Sequence, residues 1–418
     1  MGKSCNGNRI TGNQFIGLRS SILHASLVLL ISFPSYAQKT LSFTDKVYEP
    51  EIKTVQLSGT SLEFDDLRDQ RSNFYVKLIH CNYDWTKSNL ASLEYLQDYN
   101  EFTINDYVYS SGTYLNYVHY RFQLPPVKIS GNYLIIVYRD GDEKDLILSR
   151  RYFRSDNRVS LVSNNQLFGG GALRSSNQQL NFTINYNGVD VVNPMGSIHV
   201  VIRQNQRWDN ARTDVQPSFI RESERQLEYR FIDQDNQFNA GNEFRFVDFR
   251  SLIYPGQNTG TLTRNVKPYS LTVQTDQSRE SSAYAQYKDI NGQYRIENLD
   301  NREPAISGNY VNVTFFLKAA KPVAGNVYVA GAFNSWNRDK ENLMKFYPDK
   351  EMYQATLLLK QGWYDYQYLV DGKQFSLNYF EGDHFETENV YDVLVYYRPF
   401  RPNADLLIGY FMIPVNPR

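Results

Sequence analysis

Apolar and polar positions alternate with a period of two through most of the chain. Phe182, Ile184 and Tyr186 interleave with Asn181, Thr183 and Asn185, and Leu227, Tyr229 and Phe231 interleave with Glu228 and Arg230. Side chains alternate faces along a strand, so these runs predict half-buried antiparallel strands. Between about 40 and 157 the runs Phe74 to Cys81, Tyr114 to Phe122, Tyr133 to Tyr138 and Asp145 to Phe153 read as strands. The turn pairs Ser111-Gly112, Pro125-Pro126, Ser130-Gly131 and Asp140-Gly141 punctuate them. Asp140-Gly141 is the strongest hairpin signal of the set, because both turn positions tolerate positive φ. One stretch departs from the pattern: Leu90, Leu93 and Leu96 are three apart and follow Ser88 and Asn89, which predicts a short helix or helical turn.

The fold class that follows is all-β, with three tandem β-sandwich-like domains after a cleaved signal peptide. The expected bounds are 1–37 for the signal, 38–157, 158–303 and 304–399 for the domains, and 400–418 for a C-terminal arm. The last boundary rests on the three prolines between Phe400 and Arg418, and the one before it on Arg302-Glu303-Pro304. Composition agrees with a strand-rich protein: 33 Tyr and 25 Phe accompany only 5 Met and 5 His, and aromatic side chains suit pleated surfaces.

Charge narrows the function classes. With 44 Lys plus Arg against 45 Asp plus Glu, no strong field steers the chain to nucleic acid or anionic lipid, and nucleic-acid binding is not expected. At the N-terminus Lys3, Arg9 and Arg19 precede the apolar run Ile22 to Phe33, and Ser35-Tyr36-Ala37 supplies small residues where a signal peptidase reads. Cleavage after Ala37 is predicted. The run is shorter than the roughly 20 residues that span a bilayer, so direct membrane insertion is not expected. Cys5 leaves with the signal, Cys81 remains alone, and no internal disulfide can form. An oxidising compartment without disulfides points to a bacterial periplasm.

The chain offers little chemistry. Gly169-Gly170-Gly171 lacks the Lys and helix of a phosphate loop. His80 and Cys81 are neighbours in a strand and face opposite ways, so they cannot share an ion, and Cys81 reads as a small buried apolar residue. Glu381, Asp383, His384 and Glu386 form the one acid-plus-His cluster, yet Ca2+ needs six or more oxygens that this run does not obviously supply. No nucleophile elbow, zinc signature or dinucleotide loop is present, and no catalytic residue, cofactor or metal is expected. Surface recognition remains. Trp208, with Arg203, Arg207 and Arg212 around it, is the candidate interface anchor, because Trp and Arg dominate interface hot spots; burial in a core is the alternative use of the same ring.

Two resemblances sharpen this reading. Val327-Tyr328-Val329-Ala330-Gly331-Ala332-Phe333-Asn334-Ser335-Trp336, followed by Gly362-Trp363-Tyr364-Asp365-Tyr366-Gln367-Tyr368-Leu369-Val370-Asp371-Gly372, resembles the early-set immunoglobulin-like modules of the glycogen-binding class over about 90 residues. The resemblance implies a sugar platform at Trp336 with Asn334, but Gln367 and Gln374 stand where that family has a Lys and a second Trp, so a buried structural ring is the use expected of Trp336 and the platform is the alternative. The second match is an ordered set: Cys81-Asn82-Tyr83-Asp84-Trp85, Ser111-Gly112-Thr113, Tyr117 to Phe122, Leu124-Pro125, Ser130 to Tyr133, Arg139-Asp140-Gly141 and Arg150-Arg151-Tyr152-Phe153. Over about 115 residues this set is similar to the N-terminal domain of the type IX secretion system plug proteins. The resemblance implies a periplasmic, non-enzymatic subunit. Such a subunit closes the inner mouth of the outer-membrane translocon barrel, its partner, when cargo is absent. The other reading is a periplasmic carbohydrate-binding protein that uses Trp336 and Asn334 on a glycan.

Overall fold

The computed structural model describes residues 39–167, 176–230 and 237–417. The signal segment and its cleavage point, with Cys5, and the glycine cluster at 169–171 lie outside the described residues. The chain from Lys39 to Arg418 forms one unit and is almost entirely β.

The first sandwich packs two antiparallel sheets. One has the order Lys46–Val47, Asp142–Arg154, Gly131–Arg139, Phe74–Cys81, Phe102–Thr103, and the other the order Ile52–Ser58, Ser61–Asp66, Val118–Gln123, Asp106–Tyr109. Leu62, Phe64 and Tyr120 meet Phe74, Val76, Leu78, Tyr133, Ile135 and Val137 between them. The outer face of the first sheet is buried too: Cys81, Trp85, Leu134, Ile136, Tyr138 and Leu146 form a second layer. Burial on both faces explains why Tyr133 to Tyr138 is a continuous apolar run rather than an alternating one. The leucine triplet gives a single turn, Ser92–Tyr95, in which the Glu94 carboxylate accepts the Ala91 N–H at 2.6 Å. The turn is held by that bond rather than by Ser88 or Asn89.

The other two sandwiches form, but the strands are shared out differently from the expected bounds. The middle core combines Leu180, Phe182, Ile184, Ile198, Val200, Ile202 and Leu227 with Tyr391, Val393, Val395, Ile408, Ile413 and Val415. Its second sheet runs Ile198–Gln204, Asn389–Tyr397, Leu406–Val415. The expected C-terminal arm is thus the edge strand of the middle sandwich. In the opposite direction, Val247, Phe249, Tyr269 and Leu271 belong to the third core, with Val311, Val313, Phe315, Val327, Val329 and Tyr366. Its larger sheet has the order Thr259–Thr263, Tyr269–Val273, Tyr310–Lys318, Met352–Lys360, Lys345–Tyr347. The third sandwich is therefore inserted between strands of the middle one. Antiparallel pairing joins residues nearly 200 apart, as in Ile198 opposite Tyr397, and no local period can announce such a partner.

Candidate functional site

The residues singled out from the sequence lie on the seams between sandwiches. Trp208 is half-buried, and its ring meets Trp85 of the first sandwich edge-on at 5.1 Å. The Arg151 guanidinium sits 4.8 Å from the Trp85 ring and 5.1 Å from the Trp208 ring, and Arg203 stacks on Trp208 at 4.2 Å. Arg203 is itself buried and donates to Asp392 at 2.7 Å. Burial pushes the Asp392 carboxyl up, and the Arg203 charge opposes it. A guanidinium is weakly hydrated and planar, so it can be stripped of water between aromatic faces where an ammonium resists. The anchor residues Trp208 and Arg203 are thus spent inside the chain. Arg212 is exposed and donates to the Gln237 carbonyl at 2.9 Å, with its charge over the Phe238 ring.

Arg207 reaches the third sandwich. Buried and bidentate to Asp209, it stacks on the Trp336 ring at 4.0 Å. Trp336 is 5% exposed. Phe244 packs on it at 5.7 Å, and a Cβ on Gly292, whose φ is +76°, would stand 2.8 Å from the indole. Asn334 is also committed: its carbonyl oxygen accepts the Gly331 N–H and its amide donates to the Val329 carbonyl. The alternative reading of a sugar platform is corrected accordingly. A platform must offer a ring face to solvent, and Trp336 offers its face to Arg207.

A second seam joins the first and third sandwiches through charge. Asp65 and Lys360 are no more than 1% exposed and lie 2.7 Å apart. Asp65 also accepts the Tyr310 hydroxyl at 2.6 Å, and His119 Nδ1 lies 2.8 Å from its other oxygen. The Lys360 ammonium donates onward to the Ala305 carbonyl at 2.6 Å and faces the Tyr117 ring at 4.2 Å. Burial pushes the Lys360 pKa down while Asp65 opposes the shift. Burial, with Asp65 beside it, pushes the Tyr310 hydroxyl far up. No sequence signal tied Asp65 to Lys360: Asp65 faces His119 in one sheet and Tyr310 faces Lys360 in another, and the two pairs meet only when the two sandwiches dock.

A third contact closes the first sandwich against the middle one. Asp405, buried, accepts two bonds of 2.7 Å from Arg398 and the Tyr83 N–H at 3.0 Å, while Tyr83 stacks on His199 at 4.1 Å. His80 is buried beside Tyr133, and burial pushes its imidazole down to about 4 despite the nearby Asp405. Cys81 lies on the opposite face of its strand from His80, and burial pushes the thiol up to about 12. The acid-plus-His cluster is divided. Glu381 is buried against Arg245 and Arg279, whose charges overcome burial and hold it low, whereas Asp383 accepts the Gly241 N–H. Among the described residues no group of three or more His, Cys, Asp or Glu is placed to hold a metal ion.

The geometry defines an all-β protein of three sandwiches fixed together by buried Arg–aromatic and charged contacts. Residues 38–155 match the Type 9 secretion system plug protein 1st domain. Residues 38–155 are therefore a domain of this type, in the stretch where the ordered motifs lie. Such a domain goes with a periplasmic or envelope-associated protein. No helix among the described residues is long and apolar enough to cross a membrane. A hypothetical protein from Parabacteroides merdae ATCC 43184, known from a crystal structure at 2.30 Å resolution, is similar over 90% of this chain and 100% of its own, with 29% identity and a TM-score of 0.83. No curated protein matches the chain.

Proposed function

We propose that this protein is a non-enzymatic periplasmic plug subunit that closes the periplasmic mouth of the type IX outer-membrane translocon barrel when cargo is absent. The observation that carries the reading is the match over residues 38–155, in a domain whose buried contacts with both neighbours bind it into a larger body. An obstacle must not unravel or swing aside when pushed. The Asp65–Lys360 pair and the Trp85–Arg151–Trp208 stack oppose such motion, since opening either one strands a charge or a ring. A body of this length has a radius of gyration of about 21 Å, hence a diameter on the order of 50 Å, which suits blocking a wide opening without entering the membrane.

The plug must also leave, so its contact with the barrel is of the wet, non-obligate kind. Cargo or its carrier then displaces it by competing for the same opening. Isolation of the barrel from cells in which cargo export is blocked tests this. The protein co-isolates with the cargo-free barrel, and its deletion makes the outer membrane permeable to large solutes while secretion persists in part. Unchanged permeability on deletion, or a cargo-free barrel that never carries the protein, overturns the proposal.

A further inference from the structure

A cavity of about 740 Å³ lies between the first and third sandwiches, and its walls are unusual. Five consecutive residues, Thr356 to Lys360, line it, all from the regularly paired strand Met352–Lys360. Side chains on a strand alternate faces, so five successive residues border one space only if the strand turns its backbone edge toward it. The pairings agree. On one side that strand is bonded to Tyr310–Lys318 along its whole length, but on the other Lys345–Tyr347 covers only Met352 to Gln354. From Ala355 to Lys360 the outer edge has no strand partner among the described residues, and only the Lys360 carbonyl at its inner end is taken, by the Tyr364 hydroxyl. The opposite wall repeats the arrangement. Ile52 to Val55 line the same cavity and belong to Ile52–Ser58, the edge strand of its sheet.

We propose that this slot accepts an extended segment of another polypeptide, which adds as a β-strand to the open edge at Thr356 to Lys360. Only a peptide backbone presents alternating N–H and C=O groups at the spacing an open edge offers, and strand addition is an established mode of peptide recognition. The side chains around the slot favour a segment with apolar residues at alternate positions and little net charge. Phe333, Val55 and Leu358 supply apolar wall, while Lys53 is neutralised by Glu341 at 2.7 Å and Arg150 is balanced by Asp45 at 3.6 Å. The inner end is closed: Tyr294 donates to the Val55 carbonyl and the Thr54 hydroxyl meets that of Tyr310. A slot walled by two sandwiches admits a single strand, not the edge of a folded sheet, so the occupant is a free segment of a second protein rather than a docked second copy. The inference does not rest on the plug reading.

The test uses the full chain as bait for a phage-displayed library of random peptides, followed by amide hydrogen exchange with the selected peptide. Enrichment of peptides with alternating apolar residues is expected, and the bound peptide slows exchange about tenfold or more at Thr356 and Leu358, whose N–H groups point to the open edge, while Leu357 and Leu359 already donate to Tyr310–Lys318. Thr356→Trp, at an exposed position, and Leu358→Trp, at a half-buried one, each fill the slot and abolish this protection. A library that yields no binder overturns the proposal, as does protection elsewhere or a peptide that binds both folded variants as it binds the native chain. Protection of the same amides in a dimer of the chain alone assigns the slot to a second copy and equally overturns it.

Discussion

The seam around Asp65 and Lys360 and the seam around Trp208 both fasten the first sandwich to its neighbours, yet they respond to damage in different ways. In the first, two opposite charges are withdrawn from water and each depends on the other. Removing either one leaves an ion that the interior cannot solvate. In the second, Trp85, Arg151, Trp208 and Arg203 share many contacts of modest strength, and two of the four keep partners elsewhere: Arg151 donates to the Phe43 carbonyl and Arg203 to Asp392. A charged seam therefore fails all at once, and a stacked one by degrees.

The sharpest break is Asp65→Ala. It strands the Lys360 ammonium with the Ala305 carbonyl as its remaining hydrogen-bond acceptor, and unfolding by urea should show a loss of about 3–5 kcal/mol. Lys360→Met is the sharpening control. Asp65 then keeps the Tyr310 hydroxyl and the His119 ring as partners, so the loss measured in the same way is the smaller of the two. Equal losses would mean that Tyr310 and His119 do not hold the unpaired Asp65 carboxylate as their geometry implies.

The next effect is one of pH, at the contact between His80 and the loop bearing Asp405. Burial holds the folded His80 at about 4, below its ordinary 6.5. As pH falls through 6.5 the unfolded chain takes up a proton that the folded chain refuses, so stability drops until the folded imidazole titrates as well. The loss approaches about 3 kcal/mol. Burial acts in the opposite sense at Asp289 and Asp365, whose carboxyls are pushed up to about 7 and about 6 and bind protons more readily when folded. The measurement is thus the difference between the native chain and His80→Gln at pH 7 and pH 4, in which the carboxylate contributions cancel. The variant should lose less stability on acidification.

Trp208→Ala tests the stacked seam. A half-buried ring with two guanidinium neighbours is worth about 2 kcal/mol, and thermal unfolding should remain a single transition, with the midpoint lowered. The smallest effect is expected for Lys53→Ala, which removes a bridge to the exposed Glu341. Such a pair contributes under about 1 kcal/mol and fades with added salt. A loss of several kcal/mol there would place the strength of the first–third contact at its rim rather than at Asp65.

The motifs of the first sandwich were legible in the sequence because its signals are local. Asp140-Gly141 does make the hairpin between Gly131–Arg139 and Asp142–Arg154, and residues from Cys81 to Phe153 fall in one sandwich in chain order. The anchor and platform residues were legible as unusual but not as to their use. Trp208 and Trp336 stand out in any reading of the chain, but whether a ring meets solvent, a sugar or an arginine depends on what folds over it. Arg207 covers Trp336 from more than 120 positions away.

The sequence by itself determined that the chain is β, where several of its strands lie, and which stretch carries the plug-type motifs. Alternation with a period of two, glycine turns and ordered short motifs are properties of neighbouring residues. Only the tertiary structure decided that Leu406–Val415 closes the middle sandwich and that Arg245–Asp248 and Tyr269–Val273 serve the third. It alone brought Lys360 to Asp65 and turned the open edge at Thr356 to Lys360 toward a slot. A strand's own residues fix the face it buries, but its partner is chosen by the packing of the whole chain, and no period along the sequence records that choice.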